Sequence, residues 1–269
     1  MPRIPVLLAT LVLLAGCTGE TVTTGPVGEA PRATGVRVVD GDTVAATVAG
    51  ADVVVRLVGI NAPERDECHG DDATRALSDA LAAGRVRVVA VGTTDRDDFG
   101  RLLRAVEVDG RDLGLEMVRA GHALAMSVDH PRAAEYRAAQ EEAFAAALGM
   151  WGPAACGTPA GTGASIAGIE HDPPGDEAAD PNLEWVDIRA DEAVDLGGWR
   201  LRDESSAHRF DFPAGLTLAP GAVVRVHSGC GADDAATLHW CADTPVWNNG
   251  GDTVLLQDPH GNVVDRFGY

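Results

Sequence analysis

The sequence predicts a mostly β protein of two domains, a small five-stranded β-barrel with helices followed by a β-sandwich. In residues 34–156, short strand-like runs alternate with turns and with Ala- and Leu-rich helical segments. In residues 165–269, strand-like runs are separated by Gly and Pro turns and show almost no helical period. Residues 157–164 are rich in Gly, Pro and Ala and predict a linker. A chain of 269 residues is long enough for each domain to bury its own core.

The first domain is predicted from five strand-like runs and three helical runs. The dipeptide Asp40-Gly41 separates the first two strand-like runs and is a strong signal for a tight turn. The predicted strands cover residues 35–39, 43–48, 51–58, 85–91 and 101–108. The predicted helices cover residues 73–83, 111–120 and 132–148. Five short strands with helices between and after them predict a Greek-key barrel of the OB type.

The second domain is predicted from strand-like runs at regular spacing. These runs cover residues 184–188, 198–201, 222–227, 253–257 and 262–267. Turn residues lie between them, and several short strands of this kind predict two sheets packed as a β-sandwich.

The charge of the chain limits how it can bind a polyanion. There are 41 acidic residues and 21 basic ones, all of the latter Arg, for a formal net charge of −20. The net charge is −7 over residues 34–155 and −13 over residues 165–269. A long-range field this negative excludes binding of nucleic acid through net charge. A polyanion would have to be bound through a metal ion or through a few focused Arg side chains.

The N-terminus predicts export and lipid attachment. In residues 1–17, Arg3 is followed by an apolar run and then by small residues, which is the layout of a secretory signal peptide. The tetrapeptide Leu-Ala-Gly-Cys that ends at Cys17 resembles a bacterial lipobox, so we expect lipid on Cys17 and an extracytoplasmic, membrane-anchored protein. An ordinary signal peptide that ends near a Cys by chance is the alternative. Residues 18–33 are rich in Thr, Gly, Pro and Ala and predict a flexible tether.

The remaining four Cys residues predict two disulfides. An even number of Cys in an oxidising compartment favours disulfides, and the linker makes pairing within each domain more favourable than pairing across it. The expected pairs are Cys68–Cys156 and Cys230–Cys241. A zinc site that uses His69 or His239 is the alternative, but the Cys-x2-Cys spacing of structural zinc sites is absent.

Three separated segments carry residues suited to phosphodiester chemistry. They are residues 39–44, 56–64 and 97–103. Asp42 and Asn61 offer hard oxygen ligands, which together with nearby backbone carbonyls suit Ca²⁺. Arg56 and Arg101 lie on separate predicted strands, from which two guanidinium groups could grip one phosphate. Glu64 follows a Pro that stiffens its loop, so its carboxylate could orient a water beside that phosphate.

The order and spacing of these segments resemble the staphylococcal (micrococcal) nuclease family over about residues 34–152. The resemblance implies an OB-barrel that cleaves DNA and also RNA with Ca²⁺ as its cofactor. The implied catalytic residues are Arg56, Glu64 and Arg101, and the implied calcium ligands are Asp42, Asn61 and the carbonyl of Ala62. In the best-known members, an Asp stands at the position of Asn61, so one negative charge is lost here and weaker Ca²⁺ binding is expected. Those members also carry Tyr residues in the region of residues 122–127, where this sequence has none.

The second domain resembles the lamin-tail domain, an immunoglobulin-like sandwich often attached to secreted bacterial nucleases. The resemblance covers about residues 165–269 and is carried by residues 182–188, 194–203 and 246–254. Its four Trp residues could stack on sugars or bases, but at strand positions we expect most of them in the sandwich core.

Two functions follow as hypotheses. The first is an exported, lipid-anchored, calcium-dependent endonuclease that acts on DNA and RNA as a monomer. The alternative is a surface binding or adhesion protein whose barrel has lost activity, which the amide at Asn61, the absence of Tyr in residues 122–127 and the acidic composition favour. The retention of Arg56, Glu64, Arg101 and Asp42 favours catalysis.

Overall fold

The computed structural model describes residues 30–128, 130–205 and 207–269. The predicted signal peptide, the lipid-attachment residue Cys17 and most of the predicted tether lie outside the described residues. Strands predominate in the described part of the chain, as predicted, and helices occur only in its first half apart from one short 3-10 helix.

The first domain is built on one main sheet and one small sheet. Its strands are β1 Ala33–Val38, β2 Thr43–Val48, β3 Ala51–Leu57, β4 Ile60–Asn61, β5 Val86–Ala90, β6 Leu102–Val108, β7 Arg111–Asp112 and β8 Leu124–Ala125. The main sheet has the order β1-β2-β3-β6-β5, β7 also pairs with β6, and β4 pairs with β8. The β3–β6 pair is parallel, and an isolated bridge between Arg32 and Arg87 links the two ends of the sheet. The OB-fold is therefore confirmed, with the short β7 as an additional strand.

Three helices cover this sheet, α1 Gly70–Leu81, α2 Leu113–Arg119 and α3 Ala133–Ala145. Helix α1 buries Ala73 and Leu77, which are one helical turn apart, against the sheet. Asp112 is the N-cap of helix α2, and its carboxylate accepts a hydrogen bond from the backbone N–H of Leu115 at 3.3 Å. Helix α3 ends three residues before the predicted end. Its chain then turns at Ala147, which has a positive φ of 51°, into the 3-10 helix Gly149–Trp151.

The second domain is an immunoglobulin-like sandwich, as predicted. Its strands are β9 Ala164–Glu170, β10 Trp185–Ala190, β11 Val194–Asp195, β12 Arg200–Arg202, β13 Arg209–Asp211, β14 Thr217–Leu218, β15 Val223–His227, β16 Thr237–His239, β17 Thr253–Gln257 and β18 Val263–Gly268. Two four-stranded sheets have the orders β16-β15-β10-β9 and β13-β12-β17-β18. Trp199 and Trp247 are buried in their shared core, whereas Trp185 is half-buried with the Arg225 guanidinium 3.5 Å above its ring.

The two domains pack directly against each other. Leu255 of β17 is fully buried in an apolar cluster with residues of the first domain, which are Leu124, Ala143, Met150 and Trp151. Within the predicted linker, Ala160 donates its backbone N–H to Asp258 Oδ2 at 2.8 Å. The Gly, Pro and Ala content of residues 157–164 predicts a spacer, but the composition does not reveal this apolar contact. We retain residues 34–156 and 165–269 as the proposed domain bounds.

Both disulfides have the predicted pairing, Cys68–Cys156 and Cys230–Cys241. The first bridge joins the segment that follows Glu64 to the C-terminal end of the first domain, with a Cα–Cα distance of 5.5 Å. Two disulfides are typical of an oxidising, extracytoplasmic compartment. In the described residues, no helix combines the length and the hydropathy needed to cross a bilayer.

Replacing Cys68 and Cys156 together by Ala is expected to lower the free energy of unfolding by about 4–5 kcal/mol, because the bridge closes 88 positions in the unfolded chain. The matched control replaces Cys230 and Cys241, whose bridge closes 11 positions and should contribute about 3 kcal/mol. Urea unfolding without reductant measures both values. An equal loss in the two variants, or a larger loss in the control, would contradict the loop-closure argument.

Candidate active site

Asp42 is held at the tight turn between β1 and β2. Its backbone N–H donates to Asp40 Oδ1 at 3.0 Å, which fixes the turn. A Cβ on Gly41 would lie 2.7 Å from the Cβ of Ala62 and 2.8 Å from that of Ala73, so only Gly allows the turn to come this close. Asp42 is buried, and burial raises its pKa to about 6 although the neighbouring Arg56 acts in the opposite direction.

The guanidinium of Arg56 binds the oxygens that the sequence assigns to a metal. Arg56 pairs across β2 and β3 with Thr43, the residue after Asp42, which brings its side chain to the turn. Its Nη2 lies 2.9 Å from Asp42 Oδ2 and 2.9 Å from Asn61 Oδ1. Its Nη1 donates to the carbonyls of Leu57 at 2.9 Å and Ile60 at 2.7 Å. Two predicted ligand oxygens therefore converge on one cationic nitrogen.

Asn61 links this site to the second domain. The residue is buried in β4, and while its Oδ1 accepts from Arg56, its Nδ2 donates to the backbone carbonyl of Glu204 at 3.0 Å. A carboxylate at this position would place a second acceptor against that carbonyl, with no proton between them. The contact with Glu204 is thus a physical reason for an amide where the resemblance leads one to expect Asp.

Ala62 and Glu64 lie on the segment that leaves β4. The backbone N–H of Ala62 donates to Asp42 Oδ2 at 2.8 Å, which joins this segment to the turn that carries Asp42. Glu64 is exposed, and its backbone N–H donates to Glu67 Oε2 at 2.9 Å. The structure therefore brings Asp42, Arg56, Asn61 and Ala62 into contact and places the Glu64 carboxylate on the adjoining exposed loop.

Arg101 faces the same groove as Arg56. Its Nε donates to Asp97 Oδ2 at 2.6 Å, and its guanidinium lies 5.4 Å from the centre of the exposed Phe99 ring. Burial alone would raise the pKa of Asp97, but the hydrogen bonds from Arg101 bring it below its usual value. Arg56 and Arg101 both line a groove of about 330 Å³ that also has apolar walls. Those walls include Val91, Met126 and Val128. A phosphate between two guanidiniums, with an apolar surface beside its sugar and base, suits this arrangement.

The side-chain oxygens of Asp42 and Asn61 are ligands of the type that a hard cation prefers, but together they carry only one negative charge. Both side-chain oxygens already meet at one cation, the Arg56 guanidinium, and a carbonyl such as that of Ala62 is a normal further ligand. Asp42 is the single carboxylate of the set. Across the described ranges, no group of three or more His, Cys, Asp or Glu residues is arranged to hold a metal, so the zinc alternative gains no support. His69 instead forms a 2.8 Å hydrogen bond between its Nε2 and His122 Nδ1.

Glu204 also contributes to this site, although no pattern in the sequence predicts it. Its carboxylate accepts hydrogen bonds from the backbone N–H of Ser127 and from Ser127 Oγ, the latter at 3.1 Å. Glu204 is only 2% exposed, and burial raises its pKa to about 7. Asn61 and Glu204 are 143 positions apart, and no local pattern in an acidic loop indicates that one of its carboxylates is buried against another domain.

Comparison with known proteins assigns both halves of the chain. The Staphylococcal nuclease homologue family matches residues 54–153, and the Lamin Tail Domain matches residues 158–269. Protein ParB of Escherichia coli is 37% identical over 129 residues, an alignment that covers 43% of this chain and 70% of ParB. The chain belongs to the staphylococcal nuclease homologue family. In this nuclease homologue, the matched region includes Arg56, Asn61, Glu64 and Arg101 and begins after Asp42.

Two further relatives of the nuclease homologue bear the name endonuclease. An uncharacterized endonuclease of Haemophilus influenzae is 33% identical over 117 residues, with 43% of this chain and 64% of that protein covered. Endonuclease YncB of Bacillus subtilis is 27% identical over 124 residues, with 43% of this chain and 59% of YncB covered. The chain thus spans less than two thirds of the length of either protein.

Proposed function

We propose that this nuclease homologue is an exported, lipid-anchored, calcium-dependent endonuclease that hydrolyses phosphodiester bonds of DNA and RNA. The observation that carries the proposal is the convergence of Asp42 and Asn61 oxygens on the Arg56 guanidinium, at a groove that Arg101 also lines. The names of two relatives, both endonucleases, support the same activity. Export is supported by the signal-like N-terminus and by the two disulfides, and lipid on Cys17 is supported by the lipobox-like tetrapeptide that ends there.

The residues of the groove have separate roles in the proposed reaction. Arg56 and Arg101 bind the phosphate, and each carries a planar fork of donors that matches two phosphate oxygens. Arg56 must exchange its bond with Asp42 for one with the phosphate, after which Asp42 keeps the hydrogen bond from the Ala62 N–H. Glu64 accepts a proton from the attacking water as general base. A calcium ion held by Asp42, Asn61 and the carbonyl of Ala62 would supply a Lewis acid for the phosphate oxygen.

One observation favours the alternative of a binding protein without catalysis. The proposed metal-ligand set has a single carboxylate, and the Asn61 amide is hydrogen-bonded on both sides, to Arg56 and to Glu204. An ion-pair network of this kind holds Arg56 in place without a metal.

Digestion of a closed circular plasmid distinguishes the two functions. The test protein lacks residues 1–17 and is assayed with Ca²⁺ or with a calcium chelator. We expect nicked and then linear plasmid with Ca²⁺ and intact supercoiled plasmid with the chelator. If the plasmid stays supercoiled in both conditions but still binds to the protein, the result would support the alternative of a binding protein without catalysis.

Replacing Asn61 by Asp is expected to have two opposite effects. The added negative charge should lower the Ca²⁺ concentration for half-maximal cleavage. The lost hydrogen bond to the Glu204 carbonyl should lower the free energy of unfolding in chelator by about 1–3 kcal/mol. Buffered Ca²⁺ titrations of cleavage and urea unfolding measure the two effects.

Asn262→Asp is the matched control for that variant. Asn262 is also buried, its Nδ2 donates to Asp258 Oδ2 at 2.9 Å, and its hydrogen-bond partners do not include Asp42, Asn61 or Ala62. The control should lose stability without any change in the Ca²⁺ requirement. An unchanged or higher Ca²⁺ requirement in Asn61→Asp would show that Asn61 is not a ligand.

A further inference from the structure

A second arginine-rich pocket lies between the two domains. Its volume is about 370 Å³, and its walls come from the loop after Pro63 in the first domain and from β12, β13 and the turn between β17 and β18 in the second. Three Arg residues line it, Arg200, Arg202 and Arg209. They are half of the six Arg residues in residues 165–269, a region of net charge −13. The second domain therefore concentrates its sparse positive charge at one place beside the Glu64 loop.

The positive charges of the pocket are only partly neutralised. Arg202 is 4% exposed, and two of its nitrogens donate to uncharged acceptors, the carbonyls of Asp203 at 3.3 Å and Ser205 at 2.8 Å. Its Nη1 is 3.8 Å from Glu67 Oε1, which is too long for a hydrogen bond. Arg209 Nη2 lies 2.5 Å from the same carboxylate oxygen. Its buried Nε finds no hydrogen-bond partner among the described residues.

Three carboxylates line the pocket, those of Asp66, Glu67 and Asp258, and Asp66 is exposed. Asp211 pairs with Arg200 at the exposed rim, with Nε and Oδ1 2.7 Å apart. Asp258 accepts four hydrogen bonds, from the backbone N–H groups of Ala160, His260 and Asn262 and from Asn262 Nδ2. Glu67 is the carboxylate that the two inner guanidiniums share, so Arg202, which is buried, and Arg209, which is half-buried, have one ion-pair partner between them. A bound anion with several oxygens would accept hydrogen bonds from the guanidinium groups of both Arg202 and Arg209.

The pocket is coupled to the proposed catalytic loop through Glu67. Glu67 Oε1 faces Arg202 and Arg209, while its Oε2 accepts from the backbone N–H of Glu64 at 2.9 Å. We propose that this pocket binds a phosphate of the nucleic-acid strand, outside the bond being cleaved, and so holds the strand beside the Glu64 loop. The inference rests on the proposed nuclease function and assigns the lamin-tail domain a direct part in substrate binding.

The competing explanation is a purely structural clamp, in which Glu67 and Arg209 only tie the domains together. The test compares a twelve-nucleotide single strand, long enough to reach both sites, with a dinucleotide that reaches only one. Arg200→Gln and Arg209→Gln should each raise KM for the long strand by a factor about ten times larger than the factor for the dinucleotide. Each should also reduce the slope of log affinity against log salt by about 1 for the long strand, measured by fluorescence anisotropy in chelator.

Arg189→Gln is the matched control. Arg189 lies in the same domain and is exposed, and it pairs with Asp191 at 3.0 Å, much as Arg200 pairs with Asp211, but it is not a pocket residue. It should leave both substrates unaffected. Equal effects of Arg200→Gln and Arg209→Gln on the two substrates, or an unchanged salt slope, would overturn the inference in favour of the clamp. Failure of the wild-type protein to cleave either substrate would instead reject the nuclease function, with the anisotropy measurement still deciding on the pocket.

Discussion

Glu64→Gln and Arg101→Ala are each expected to lower kcat/KM for phosphodiester cleavage by at least about a hundredfold, with the protein still folded. A positioned general base typically contributes 10² or more to the rate, and the amide of Gln cannot accept the proton from water. Arg101 supplies one of the two guanidiniums of the groove. Glu64 is exposed and Arg101 is partly exposed, so neither change opens a cavity in the core. Initial rates on an oligonucleotide at saturating Ca²⁺ measure the effect.

Suitable controls are Glu142→Gln and Arg119→Ala. Both residues are exposed on helices away from the groove, and both variants should keep wild-type activity. The urea midpoint of every variant shows whether it is folded. A folded Glu64→Gln protein with near-normal turnover would reject the role of Glu64 as general base, and a similar result for Arg101→Ala would remove Arg101 from the phosphate site.

The free energy of unfolding is expected to fall as the pH rises from about 4.5 to about 7. Burial raises the pKa of Glu204 from 4.5 to about 7 and that of Asp252 from 3.8 to about 6. The folded protein therefore binds these protons more tightly than the unfolded chain does. The stabilisation that the protons contribute is fully present below the pKa values of the unfolded chain and is lost as the pH rises through the pKa values of the folded protein. For Glu204 alone, the loss is about 3 kcal/mol. The nearby Asp252 carboxylate also raises the pKa of Glu204, so the titrations of the two groups are linked.

Glu204→Gln should flatten this pH dependence and raise the stability at pH 8. The Gln amide has the shape of the carboxylate, and its oxygen can accept from the Ser127 N–H while its nitrogen donates to Ser127 Oγ. Urea unfolding from pH 4.5 to pH 8 measures the slope for both proteins. Glu192→Gln, at an exposed position of the same domain, should keep the wild-type slope. An unchanged slope in Glu204→Gln would show that its carboxylate is not buried in solution.

The main strands of both domains were predictable because their residues alternate or cluster in β-branched runs with Gly, Pro or Asp turns at the ends. The turn at Asp40-Gly41 and strand β17 Thr253–Gln257 lie where the pattern placed them. The two-residue strands β4 and β8 were not predictable, since two residues carry no period. Asn61 is nevertheless positioned by β4, so the local structure at the site follows from tertiary packing rather than from propensity.

The candidate site was predictable as a set of residues and only in part as a set of contacts. The spacing of its three segments predicted residues that lie near one another, but the Arg56 guanidinium binds Asp42 and Asn61, which the sequence predicts as metal ligands and not as partners of Arg56. The roles of Glu204 and Glu67 were not predictable, because an acidic sequence does not show which few carboxylates are buried between domains. Leu255, which packs into the first domain, has the same apolar signature as a residue of its own sandwich core.

Cleavage measured against free Ca²⁺ tests the central claim most directly, since the claim joins a metal at Asp42 and Asn61 to phosphodiester hydrolysis. The measurement is the initial rate on one fluorescent oligonucleotide at buffered Ca²⁺ from zero to saturation, for the wild-type protein and for Asp42→Asn. We expect no activity without Ca²⁺ in the wild type, and in the variant a Ca²⁺ requirement at least about tenfold higher, because its single carboxylate ligand is lost. Cleavage that persists in chelator, or identical curves for the two proteins, would contradict the account.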